Sequence, residues 1–194
     1  LTTTTEHEPD GRRRRSKDSR ARIVTAMLEL VREGEIAPGA ELVAERAQVG
    51  LRTVFRHFND MDSLYREMAH VIEAELMKVV LRPFKAPAGP ERILELVERR
   101  APAYELIAPL RRAADANRYR STFLADHHDR LARQSREILE RELPADIAAD
   151  PLKLEQLDLL LSYETWSRLR REQDLSPKRA REVVGAAVRV VLGA

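Results

Sequence analysis

Apolar residues recur at helical spacing along most of the chain. Ile23, Met27 and Leu30 stand at i, i+4 and i+7, widened by Val24, Leu28 and Val31, which predicts a first helix over 19–33. Gly34 is placed to end it, and Gly39 to cap a second, shorter helix. Leu64, Met68, Val71, Ile72, Leu76, Val79 and Val80 carry a fourth helix to about Leu81, with Asn59 as its expected N-cap. A loop with Pro83, Pro87, Gly89 and Pro90 follows. Helical pattern resumes at Glu91, with Pro102 and Pro109 expected to kink or divide it. Further helices are predicted over 120–143, over 151–173, and from Ser176-Pro177 to the end, where Ala180, Val184, Ala187 and Val191 form a stripe. No strand alternation competes, so the fold class is all-α, with about nine helices.

Within this pattern, Val43 to Phe58 has the shape of a helix-turn-helix. Val43, Ala44 and Ala47 lie on one apolar face, and Ala44 is small where two short helices cross. Gln48, Val49 and Gly50 make the break. The next helix turns Val54 and Phe58 inward and leaves Leu51, Arg52, Thr53, Phe55, Arg56 and His57 for its other faces.

Charge sharpens the picture. The net charge of +2 over 194 residues hides a block over 11–22 that holds Arg12, Arg13, Arg14, Arg15, Lys17, Arg20 and Arg22 against Asp18 alone. Such a block suits a polyanion, and its other reading is a solvated tail. Residues 1–18 have few apolar side chains and are expected to form a disordered basic arm. There is no cysteine, which removes disulfides and thiolate metal sites. No apolar run approaches the roughly 18 residues of a membrane span, so no membrane partner is expected. The N-terminus lacks the apolar core of a secretory signal, and Leu1 in place of Met points to a trimmed or tagged start. A cytoplasmic location is the expectation.

Residues from about Arg22 to Leu64 resemble the tetracycline-repressor (TetR) family of bacterial regulators. The first-helix core, Gly34, Val43-Ala44, Ala47, Val49, Thr53, Arg56-His57-Phe58 and Leu64 fall at family spacing. Ser162 to Trp166 and Leu169 to Gln173 look like the penultimate helix of many members. The resemblance implies a homodimeric transcriptional regulator, most readily a repressor on a palindromic duplex operator. Its domains would be the arm over 1–18, a DNA-binding domain over 19–65, and an effector-binding and dimerisation domain over 66–194. Ligand binding would shift the two heads to a spacing that no longer fits the operator. Four positions depart from the family: Gln48 where Gly is usual, Gly50 for Ser or Thr, Phe55 for Tyr, and Met61 for Lys. A non-Gly residue at 48 implies a left-handed or strained backbone there. With fewer groups for phosphate at the other three positions, weight shifts to Arg52, Arg56 and the arginines of the arm.

Roles follow for the DNA-binding set Arg12, Arg13, Arg14, Arg15, Gly50, Leu51, Arg52, Thr53, Phe55, Arg56 and His57. Arg52 is the candidate for a bidentate contact to guanine, and Leu51 for a thymine methyl. Thr53 and His57 resemble family phosphate contacts. Phe55, lacking the hydroxyl, reads mainly as packing. The arm is expected to enter the minor groove. Leu154, Leu157, Leu161, Val184, Ala187, Val188 and Val191 are expected to face a second copy in a four-helix bundle, with Gly185 and Ala186 allowing close approach.

Met68, Ile72, Tyr104, Phe123, His127, Tyr163 and Trp166 are expected to line a pocket for a small apolar or aromatic effector, although aromatics at this spacing also read as plain core. Asp126-His127-His128-Asp129 is not a metal site, because neighbouring helical side chains diverge by about 100°. No phosphate loop, nucleophile elbow or converging acid–base pair points to catalysis, and no cofactor is expected. A regulator of the same fold without a small-molecule effector, and a helical enzyme or scaffold, are the alternatives.

Overall fold

The computed structural model describes residues 9–80 and 82–193. Among them are ten α-helices and no strand. Helix α1, Pro9–Glu33, buries Ile23, Met27 and Leu30. It stops where Gly34 takes φ +111°, a conformation that suits glycine, and the N–H groups of Gly34 and Glu35 close onto Val31 O and Leu30 O. The helix begins about ten residues earlier than the periodicity predicts. Residues 9–18, expected to belong to a disordered arm, continue α1, since extending a packed helix needs no new nucleation. The rest of that arm, residues 1–8, lies outside the described residues.

Helices α2, Ala40–Arg46, and α3, Leu51–His57, follow. Helix α4, Met61–Val80, starts one residue later than expected, because Asp60 and not Asn59 caps it: Asp60 Oδ1 accepts the Ser63 N–H at 2.7 Å. Helix α5, Pro90–Asn117, runs undivided through Pro102 and Pro109. Each proline removes one backbone hydrogen bond, but Leu96, Val97, Ala101 and Ala103 are buried along the same helix and hold it. After a 3-10 turn at Arg118–Arg120, Ser121 caps α6, Thr122–Glu142, by accepting the Leu124 N–H. A short α7, Ala145–Ala148, precedes α8, Pro151–Leu160, which Asp150 caps.

The helix expected over 151–173 is broken. Ser162 Oγ accepts the Thr165 N–H and starts α9, Tyr163–Ser167, which runs into a π-helical turn, Arg168–Glu172. Helix α10, Pro177–Leu192, opens on Ser176 and closes on Gly193. No described helix is long and apolar enough to cross a membrane.

The chain divides into two compact units. One runs to Val71 and adds Pro109–Leu124; the other holds Ile72–Ala108 and the chain from Ala125 onward. The first unit therefore takes in more than the 19–65 expected. Asn117 Nδ2 donates to Ile36 O at 2.8 Å, and Arg66 stacks over the Phe123 ring at 5.0 Å, tying the later segment to the head.

The second unit has its own core, centred on Ile93, Leu139, Leu157, Leu161, Trp166, Val184 and Val188. This corrects the expected dimer surface. Leu157, Leu161, Val184 and Val188 are buried within their own chain, and Leu154 and Val191 pack against the same core. Helices α8 and α10 each carry apolar residues on two sides. One side is spent internally, while Leu152, Leu159 and Val190 stand 68%, 65% and 81% exposed on the other.

Candidate nucleic-acid interface

Helices α2 and α3 pack against each other, and Val43 and the small Ala44 of α2 are buried. Between them Gln48 takes φ +54°, the left-handed backbone anticipated for a non-glycine residue at this position. Arg22 of α1 is its brace: the guanidinium donates to Ala47 O and, at 3.0 Å, to Gln48 O. Gly50 then serves as an extended N-cap, and α3 closes on the Phe58 N–H donating to Val54 O.

Val54 and Phe58 anchor α3 to the head. Leu51, Arg52, Phe55 and Arg56 are exposed together, so the outward face combines two apolar and two cationic side chains. The Arg52 and Arg56 side chains make no ion pair or hydrogen bond among the described residues. The reading of Phe55 as packing is overturned: it is 52% exposed, because Val54 and Phe58 already fill the inward positions. Thr53 is half-buried at the edge of the face.

His57 is half-buried. Its Nε2 is enclosed with no hydrogen-bond partner among the described residues. Burial, then the charges of Arg56 and Arg20, push the imidazole below its ordinary value, so the ring is neutral near pH 7. Nε2 is thus closed to a phosphate, which leaves Nδ1 as the one ring nitrogen for such a contact.

Arg20 and Arg22 belong to the basic block in sequence, yet both turn onto the protein. Arg20 donates to His57 O at 2.6 Å and Glu67 at 2.7 Å, and lies 4.3 Å over the Phe58 ring. A sequence signal exists for this: Arg20 falls three residues before Ile23 and seven before Met27, on the buried stripe of α1. Arg46 of α2 grips Glu33 of α1 through two hydrogen bonds of 2.8 and 2.7 Å. The head is thus braced by arginines while α3 faces out. Arg14 and Arg15 are exposed on α1; Arg12 and Arg13 lie on the same helix, their side chains outside the described residues.

The residues expected around an effector divide between the two units. Met68 is buried and Phe123 lies under Arg66, both in the first. Ile72, Tyr104, His127, Tyr163 and Trp166 belong to the second. There Tyr104 meets Tyr163 edge-on at 5.6 Å and Trp166 at 6.3 Å. Their polar ends are satisfied: Tyr104 Oη donates to Leu161 O at 2.6 Å, Tyr163 Oη to Ala108 O at 3.4 Å, and Trp166 Nε1 to Glu105 at 2.8 Å. His127 Nδ1 sits 3.6 Å from Glu73 and 2.6 Å from Arg130. A groove of about 470 Å³ runs between α5 and α10, past Val97, Glu98, Lys178, Arg181 and Arg189, and none of the seven expected residues lines it.

No family model matches the chain, and no curated protein sequence does. Among solved structures it is similar to a transcriptional regulator from Rhodococcus sp. Rha1, with a TM-score of 0.64. That match covers 90% of this chain and 96% of the other, at 16% sequence identity, and so shows a shared fold.

Proposed function

We propose that the chain is a DNA-binding transcriptional regulator of the TetR type, acting as a repressor on a two-fold operator. The observation that carries this is the outward face of α3, where Leu51, Arg52, Phe55 and Arg56 stand exposed on a short helix whose other side is anchored and braced. A helix of this size fits the B-DNA major groove, where arginine pairs with guanine and apolar side chains meet thymine methyls. The resemblance over residues 22–64 and the fold shared with the Rhodococcus regulator support the reading.

Two copies meet in this proposal through the exposed apolar side of α8 and α10, at Leu152, Leu159, Val183 and Val190. The two heads then read half-sites related by the same two-fold axis. Selection of bound sequences from a random duplex pool tests the function directly, and a palindromic consensus is expected. Arg52→Ala should cost roughly 1–3 kcal/mol per half-site and relax one base position. Recovery of no preferred sequence, with Arg52→Ala binding like the parent, refutes it.

A small apolar or aromatic molecule that releases the operator is one reading. The packed, hydrogen-bonded trio of Tyr104, Tyr163 and Trp166 favours a second, in which that region is core and release does not depend on a small molecule there. Screening compounds for operator release, with Trp166 emission as the local reporter, separates the two.

A further inference from the structure

We propose that the basic stretch ahead of the reading head acts as a preformed helix lying along the phosphates that flank the site. This rests on the reading of α3 as the element that enters duplex DNA. Helix α1 passes both ends of α3: Arg22 holds the turn before it, and Arg20 holds the carbonyl of His57 at its end. The part of α1 before Arg20 continues past the residues that hold the two ends of α3. From Ser19 back to Pro9 that extension is about 15 Å of helix at 1.5 Å per residue.

Its dimensions decide between grooves. A helix with side chains is about 10–12 Å across. The major groove is about 12 Å wide and the minor groove about 6 Å, so a helical arm does not enter the minor groove and instead crosses to the backbone beside it. Its chemistry selects an anion. Arg14, Arg15 and Lys17 are exposed and make no ion pair among the described residues. Cations crowded along one short stretch of helix repel one another. A row of phosphates relieves that repulsion, with contacts that are blind to sequence.

The test changes the helix and keeps every charge. Ser16→Pro ends the helix at that point, since proline serves as its new first residue, and leaves the packed part of α1 intact. In the full chain, Ser16→Pro is expected to weaken binding to the selected operator and to a scrambled duplex alike, by about tenfold. It should also flatten the slope of log K against log salt by about 0.9 for each phosphate that the arm no longer neutralises. Ser16→Gly should move both readouts the same way by less, and Ser16→Ala should match the parent. An unchanged melting temperature for Ser16→Pro confirms that the head is folded.

Parental affinity and salt slope in Ser16→Pro would overturn the proposal, as would displacement of the parent by a drug that fills the minor groove without bending the duplex. If the parent binds no duplex at all, the reading of α3 fails, and this inference fails with it.

Discussion

The turn at Gln48 allows two substitutions with opposite expected signs. A left-handed backbone costs a non-glycine residue about 1–2 kcal/mol, and at Gln48, with φ +54°, nothing in the side chain requires it. Glycine removes that strain but loses about 0.5–1 kcal/mol to its freer unfolded chain. Gln48→Gly should therefore stabilise the protein by about 0.5–1 kcal/mol, a rise of about 1–4 °C in Tm for a chain of this size. Arg22 works in the other direction. Its guanidinium holds Ala47 O and Gln48 O, and charged hydrogen bonds of this kind contribute about 1.5–3 kcal/mol, with the lower end appropriate at an exposed site. Arg22→Ala should lower stability by about 1.5 kcal/mol and weaken duplex binding, because the turn sets the angle between α2 and α3. In the double variant, glycine should recover part of the loss. Thermal and urea unfolding of the four proteins, with duplex titrations, measures all of this. A destabilised Gln48→Gly, or an Arg22→Ala with parental Tm and affinity, would refute the account of a strained turn held by an arginine.

Other outcomes follow from particular contacts. Val190→Asp and Leu159→Asp should shift the protein toward monomer in sedimentation and weaken operator binding together, with little change in monomer stability, as both side chains are mostly exposed. Glu105→Ala leaves the Trp166 Nε1–H without its acceptor, at a cost of about 1–3 kcal/mol, and should shift the emission of the one tryptophan; Glu105→Gln should restore most of it. Arg170, then Trp166, holds the Glu105 carboxyl below its ordinary 4.5, so the stabilisation it contributes is present above that pH and is lost as the pH falls through the lower folded value. His57 has the opposite charge logic: its folded value lies below the ordinary 6.5, so the unfolded chain binds the extra proton first. Stability should fall as the pH drops below about 6.5, and His57→Gln should flatten that part of the Tm-against-pH curve.

Local chemistry is legible wherever a short stretch decides its own conformation. Ser176-Pro177 and Asp150-Pro151 start helices and Gly34 ends one, because caps and backbone sterics act within a few residues. Periodicity likewise places Val54 and Phe58 inward and Arg52 and Arg56 outward on α3. Pro102 and Pro109 mark where that logic stops: sequence predicts a kink or division, and burial of the surrounding turns keeps α5 whole. Helices α8 and α10 show the same limit. A helix with apolar residues on two sides does not encode which side meets its own core and which is left outside, and the structure reverses the expected assignment at Leu157, Leu161, Val184 and Val188. Arg22 is indistinguishable by charge from the arginines before it, and the approach of Ala47 O and Gln48 O turns it inward; Arg20 differs in falling on the buried stripe of α1. Caps and helix ends are set by neighbours a few positions away; whether a helix survives its prolines, and which faces the helices present, is set by partners remote in the chain, through packing that no local pattern contains.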